Sequence, residues 1–399
     1  MYLTDKGQNY IFMGEYEKAV EIFTKANEFN YTSKNYLGLT ISYINLGQYD
    51  LAIDMAYKVL EFDDDYTSRA LAQLSRALIA KGEFKEAVLP CVMSYVLYAN
   101  DLASEQIDYL IEVEPEELIV QLKIAQAKQS DEEKALLIKH LLARTYFDGL
   151  SDYRNTIKYE LDVCNAYPDF IYGVYMLTFS YLSLGECDDA MLYVDKLIAL
   201  DTLIAGSYEI KSDIYYAMGN LNAALDEINT AISISPDESR FYQTRASIYR
   251  YMGKIDDAID DYFMVIKLNP ENAYAVLQRG VLLKQQNKNI AAEADFLKAI
   301  ELDSIAGESV CMAYAYYFLG DKQKAIATFV EGYAKKQIDD YNAACFYSLM
   351  GEKEMALRYL ERHLDSGSRD FAHIGFDTDL DNIRQTPEFK ALIEKYRKQ

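Results

Sequence analysis

The sequence predicts an all-α solenoid, a stack of about eleven helix–turn–helix units closed by a C-terminal capping segment. Three observations carry this expectation. First, an alanine recurs in one slot, at Ala19, Ala52, Ala87, Ala190, Ala224, Ala258, Ala292, Ala325 and Ala356, mostly 33 to 35 residues apart. The interval from Ala87 to Ala190 is about three periods and hides two degenerate units. Second, the same partners precede each alanine. Nine residues before it stands Tyr10, Tyr43, Leu78, Tyr181, Tyr215, Tyr249, Leu283, Tyr316 or Tyr347. Five before it stands Gly14, Gly47, Gly82, Gly185, Gly219, Gly253, Asn287, Gly320 or Gly351. Third, the 399 residues include only 6 Pro and 18 Gly while 51% are hydrophobic, which favours long uninterrupted helices over a turn-rich β fold.

Each slot has a physical reason. Apolar residues fall at helical spacing on both sides of the glycine, as in "GQNYIFMG" and "EYEKAVEIFTKA", so a unit is two helices and a tight turn. Glycine at that turn takes the left-handed conformation that ends a helix, and Asn287 is the next most tolerant residue. The alanine lets two helix backbones approach closely. Small residues three before the tyrosine slot do the same from the first helix: Gly7, Ser75, Thr178, Ser212, Ala246, Gly280 and Ala313. Phe23, Ile228, Tyr262 and Phe296, four residues after the alanine, fill the space around them. Pro236 and Pro270 stop the second helix of their units.

Between Ala87 and Ala190 the register blurs. Residues 102–113 and 116–129 read as one eroded helix pair without the glycine or alanine slots. Two readings stand: drift in a tolerant repeat, or a kink or partner-binding break in the solenoid. The next unit recovers Ala143, Tyr146 and Pro168, with a turn one residue longer than the others. The tail is not another repeat. "TPEFKALIEKY" reads as a helix with Thr386 as N-cap and Pro387 at its first position, covering the apolar end of the stack. The expected organisation is units over 1–101, irregular units over 102–170, regular units over 171–365 and the cap over 366–399.

These slots are those of the tetratricopeptide repeat, which the chain resembles over nearly its full length. It departs from that pattern at the tryptophan slot, where Leu3, Tyr36 and Tyr242 stand in a protein with no Trp. The last 60 or so residues, from "YNAACFYSLMG", resemble segments that close bacterial tetratricopeptide arrays.

Composition narrows the function. Lys+Arg 40 against Asp+Glu 63 gives a net charge of −23, which repels phosphate backbones and anionic membranes. No apolar run approaches the ~20 residues of a membrane span. Five scattered Cys, with no C-x-x-C pair, read as reduced thiols. With no basic-then-apolar signal layout at the N-terminus, the expectation is a cytoplasmic protein. The chain starts inside the repeat pattern, which leaves room for sequence upstream.

Little in the sequence suggests chemistry. "DTDLDNIRQTPE" sets Asp377, Asp379, Asp381 and Glu388 at calcium-loop spacing, but Asn382 replaces the loop glycine and Arg384 the apolar residue. His373 lies near Asp377 without a nucleophile on a recognisable turn, and no phosphate loop or H-E-x-x-H appears. Asp256, Asp257, Asp260 and Asp261 flank the buried Ala258 and read as a solvated outer face. The expectation is a non-enzyme with no metal and no cofactor.

The resemblance implies a right-handed superhelix whose first helices line a concave groove. Carried over slot by slot, the groove takes Arg240, Gln243, Thr244, Ser247, Arg250 and Tyr251, then Tyr274, Leu277, Gln278, Val281, Lys284 and Gln285, then Tyr314, Tyr317 and Phe318. Upstream it takes Tyr172, Tyr175, Met176 and Phe179, then Glu209 and Asp213. The expected binding residues are Arg240, Gln243, Arg250, Tyr251, Tyr274, Gln278, Lys284 and Tyr317. Guanidinium and amide groups satisfy a peptide's backbone and acidic side chains, and tyrosine adds apolar area with few rotors to freeze. The family's carboxylate clamp of Lys and Asn is absent, with Asn342 alone in such a slot. The reading is a scaffold that holds a partner protein or extended peptide. The alternative is a regulatory or spacer array of a larger enzyme or sensor whose catalytic domain lies outside this chain.

Overall fold

The structure, a computed structural model, describes residues 2–62, 64–98, 101–366 and 371–397. Met1, and residues 367–370 and 398–399 of the predicted capping segment, lie outside the described residues. The chain forms two units, Met1–Pro168 and Asp169–Gln399. The first contains five helix pairs, from Tyr2–Phe12 with Tyr16–Phe29 to Glu132–Arg144 with Tyr153–Ala166. The second contains six, from Ile171–Ser183 with Cys187–Leu200 to Asp340–Met350 with Lys353–Asp365. That makes eleven pairs among the described residues, and none of these residues is in a strand.

The tyrosine and glycine slots are joined by one hydrogen-bond motif. The N–H of Gly253 donates to the carbonyl of Arg250 (3.1 Å) and that of Lys254 to the carbonyl of Tyr249 (2.9 Å). This pair of bonds closes the Ser239–Tyr251 helix, and it requires a left-handed residue between donor and acceptor. Gly253 has φ 73°, and Asn287 in the equivalent turn has φ 61°. The Tyr249 carbonyl therefore accepts from the residue after the glycine, which fixes the four-residue offset between the two slots. Gly253→Val should cost about 1–2 kcal/mol, because a β-branched residue must take the same left-handed backbone. A lower urea midpoint with unchanged slope would record it.

All nine alanines of the repeat are buried, none more than 1% exposed. The small slots opposite them are equally constrained. A methyl group on Gly280 would lie 2.8 Å from the Phe296 ring, and one on Gly7 2.7 Å from Phe23. Ser212 donates its hydroxyl to the carbonyl of Ala224 (2.8 Å), a bond that only closely approaching backbones permit. Sequence spacing, backbone approach and core packing thus describe one feature.

The irregular region is helical throughout. Asp101–Val113 and Pro115–Lys128 are parted by Glu114 alone, with φ −140°, and Pro115 opens the second helix. A turn without a left-handed residue needs no glycine, which accounts for the missing slot. In the following unit the extra turn residue is absorbed by a π-helical turn, Thr145–Gly149. Asp152 N–H there donates to the Tyr146 carbonyl (2.8 Å), and Ser151 takes φ 50°.

The C-terminal segment caps the last pair. Leu380, Ile383, Phe389 and Tyr396 are buried in the core cluster that includes Phe346, Leu360 and Leu364. Thr386 accepts a hydrogen bond from Phe389 N–H (3.2 Å) and starts the Pro387–Arg397 helix.

One sequence expectation is corrected. Asp256, Asp257 and Asp260 are exposed, but Asp261 is buried. Its carboxylate accepts two bonds from Arg245, Nε at 2.8 Å and Nη2 at 2.7 Å. It occupies the helix face beside Tyr262, which turns it inward. The pair recurs one period later as Arg279 and Asp295, at 2.8 and 2.7 Å.

Candidate functional site: a tyrosine-lined groove in the second unit

The first helices of the second unit surround a cavity of about 500 Å³. Phe179, Asp213, Thr244, Ser247, Arg250 and Tyr274, all at the groove slots of the repeat, line it. Tyr216, Tyr341, Asn342 and Cys345 line it too. Its remaining wall comes from outside the repeat: His373, Asp377 and Asp379 of the C-terminal segment.

Arg250 is the cavity's cation. Its Nη1 donates to Gln278 Oε1 at 2.5 Å. Burial opposes its charge, but Tyr262, Tyr274, Asp379 and Asp377 outweigh burial and raise its pKa. Burial pushes Tyr216 up to about 12 and Tyr274 well above the usual phenol range, so both are neutral hydrogen-bond donors at physiological pH. Tyr274 lines the cavity and keeps 39% of its surface accessible.

Asp377 caps, and Asp379 lies within, the 3₁₀ turn Thr378–Leu380, which follows the short helix Phe371–Phe376. Asp377 accepts from the Tyr341 hydroxyl (2.9 Å), from Cys345 Sγ (3.5 Å) and, on its other oxygen, from the Asp379 N–H (2.9 Å). Arg384 donates to the Asp377 carbonyl and holds the turn. Burial first, and then the neighbouring Asp377, raise Asp379 to about 7, against the opposing pull of Arg250. Two of the four would-be calcium ligands are thus engaged with protein groups: Asp377 as above, and Asp381 with Arg384.

The other expected binding residues serve the helices as well. Arg240 forms an ion pair with Glu209 (2.6 Å) and Glu238 (3.1 Å). Gln243 accepts from Asn272 (3.3 Å). The Tyr251 ring meets Tyr216 edge-on, with centroids 5.9 Å apart. Lys284 donates to the Phe318 carbonyl, at a helix end, and lies 5.8 Å from that ring's centroid. Tyr317 donates to the Leu349 carbonyl (3.0 Å). The cavity therefore brings together Arg250 and Tyr274, with Gln278 hydrogen-bonded to Arg250. Arg240, Gln243, Lys284 and Tyr317 are spent on neighbouring groups. Repeat register could not find the C-terminal wall, because residues outside the repeat have no slot.

Cys345, Asp377 and His373 form a cluster that invites a catalytic reading, with His373 Nε2 3.8 Å from the Asp377 carboxylate. The electrostatics run the wrong way for a nucleophile. Burial, then Asp377 and Asp379, push the Cys345 thiol well above its ordinary value, whereas a reactive cysteine needs a cationic neighbour that lowers it.

Comparison with known proteins agrees with the repeat. Tetratricopeptide-repeat family models match residues 2–32, 205–238 and 244–305. Over 59 residues the chain is 36% identical to a chloroplastic protein of Arabidopsis thaliana. That match covers 15% of this chain and 18% of the relative, so the chain spans under a fifth of the relative's length. Among solved structures, a tetratricopeptide-repeat protein from Parabacteroides merdae superposes with a TM-score of 0.44 at 16% identity, over 68% of this chain and 93% of that one. MamA superposes with a TM-score of 0.38 at 23% identity, over 42% and 96%. The repeat slots, the eleven helix pairs and the family matches, which span about a third of the chain, describe a solenoid of tetratricopeptide-type helix pairs.

Proposed function

We propose that the protein holds an extended segment of a partner protein in the groove of its second unit, without catalysing a reaction. The observation that carries this is Arg250, a cation set into the wall of a cavity among Tyr216, Tyr274 and Tyr341. A guanidinium flanked by neutral phenols suits a segment with acidic side chains and exposed backbone carbonyls. Non-catalytic action fits the raised thiol of Cys345 and the general character of tetratricopeptide arrays. Five thiols without a disulfide among them support a cytoplasmic setting.

The test starts with capture on the intact chain and identification by mass spectrometry. Titration of the purified partner then compares the wild type with Arg250→Ala and with Asp257→Ala on the outer face. Arg250→Ala should weaken binding at least tenfold and reduce its salt dependence. Equal binding by all three chains would overturn the groove assignment.

A further inference from the structure

We propose that residues Phe371–Asp379 are an internal ligand, an acidic Asp-x-Asp segment that lines the cavity of Arg250 and that an acidic segment of a partner protein displaces. This rests on the groove reading above and adds the partner's chemistry and its regulation.

The segment reaches well beyond the cap. The Phe371–Phe376 helix packs against Ala205–Ala217, four pairs before the last one, while Asp377 is held by Tyr341 and Cys345 of the last pair. It therefore closes one side of the cavity, and its two carboxylates line the same cavity as the guanidinium predicted to read a ligand. Capping does not require this. Leu380, Ile383, Phe389 and Tyr396 cover the apolar end, and Asn382 donates to the Ser348 carbonyl (2.9 Å). Phe371 and Ile374 anchor the segment on its apolar side, buried in the core cluster they share with those residues.

The docking is electrostatically imperfect. Asp379 faces Asp377 and Asp381 on its own segment and Arg250, Tyr262, Tyr274, Tyr314 and Cys345 on the packed helices. Of these, only Arg250 is a cation. Docking holds the Asp379 carboxyl up at about 7, above its ordinary value, so the docked segment binds more protons than the released one. Docking is strongest at low pH, weakens as pH climbs from the ordinary carboxylate range towards 7, and levels off above it. A partner carboxylate that reaches Arg250 without a second acid beside it avoids this cost.

The probe is a fluorescein-labelled peptide of residues 371–379, FAHIGFDTD, titrated into the full-length chain at pH 7. Asp377→Ala, which removes the acceptor of Tyr341 and Cys345, and, separately, Ile374→Ala loosen the resident segment from its polar and its apolar side. Each should bind the peptide at least tenfold more tightly than the wild type. The gain should vanish when Arg250→Gln is added or when the peptide aspartate that matches Asp377 is replaced by alanine. Protection factors of the 371–379 amides should fall in both loosened variants and, in the wild type, between pH 5 and pH 7. Peptide affinity equal in wild type and both variants, or undetectable in all of them, overturns the proposal. The groove reading is judged separately: it falls if Arg250→Ala leaves the captured partner's affinity unchanged, whatever the peptide does.

Discussion

Phe346→Ala should destabilise the second unit by about 3–5 kcal/mol, the usual cost of removing a fully buried aromatic ring. Phe346 is 0% exposed and stacks on Phe329 with ring centroids 4.5 Å apart and planes 3° from parallel. Tyr314 meets its edge at 5.6 Å, so neighbouring helix pairs share this one ring. Truncation leaves a cavity that the surrounding helices cannot collapse into. Because a repeat array couples mainly nearest neighbours, the loss should appear first as faster amide exchange in residues 310–365. Amides of the first unit, such as those of Ser33–Asn45, should be unaffected. Uniform acceleration across the chain would show that the array unfolds as one block.

Asp261→Ala should cost about 3 kcal/mol or more, because it leaves the Arg245 guanidinium half-buried without its carboxylate. Replacing both partners together, Arg245→Met with Asp261→Leu, should restore the unit to within about 1 kcal/mol of the wild type. The pKa direction supports this asymmetry. Burial raises Asp261 even though Arg245 pulls it down, so desolvation outweighs pairing. Arg245 also donates to Asn229 at 2.7 Å, and that bond must be given up in the double replacement. A double-mutant cycle in urea would measure the coupling. Additive single costs would show that the pair is independent of its burial. The same arrangement stands one period on at Arg279 and Asp295, and one period back at Lys211 and Glu227, 3.4 Å apart.

Those pairs show what the sequence could and could not reveal. The tyrosine, glycine and alanine slots were legible because each answers to a local rule: a carbonyl acceptor, a left-handed turn, a close helix approach. The eroded pair at 101–128 was legible from apolar periodicity alone, since helices need no signature at their turn when Pro115 starts the second one. Asp261 was misread because an acidic run looks solvated, although the spacing of Arg245 to Asp261 and Arg279 to Asp295 repeats across units. Register grouped Arg250 with Tyr274, which line one cavity, but it could not show that Lys284 ends on the Phe318 carbonyl. The reach of Phe371–Asp379 was not legible at all. Where a segment docks depends on three-dimensional contacts among pairs far apart in the chain, and no periodic pattern records them.

The most direct measurement is a structure of the full-length chain bound to its captured partner. The account predicts an extended partner segment against Ser239–Tyr251 and Ala273–Gln285, with an acidic group on Arg250 and Phe371–Asp379 moved off it. A partner seated on the outer face around Asp257, with Phe371–Asp379 still lining the cavity, would contradict it.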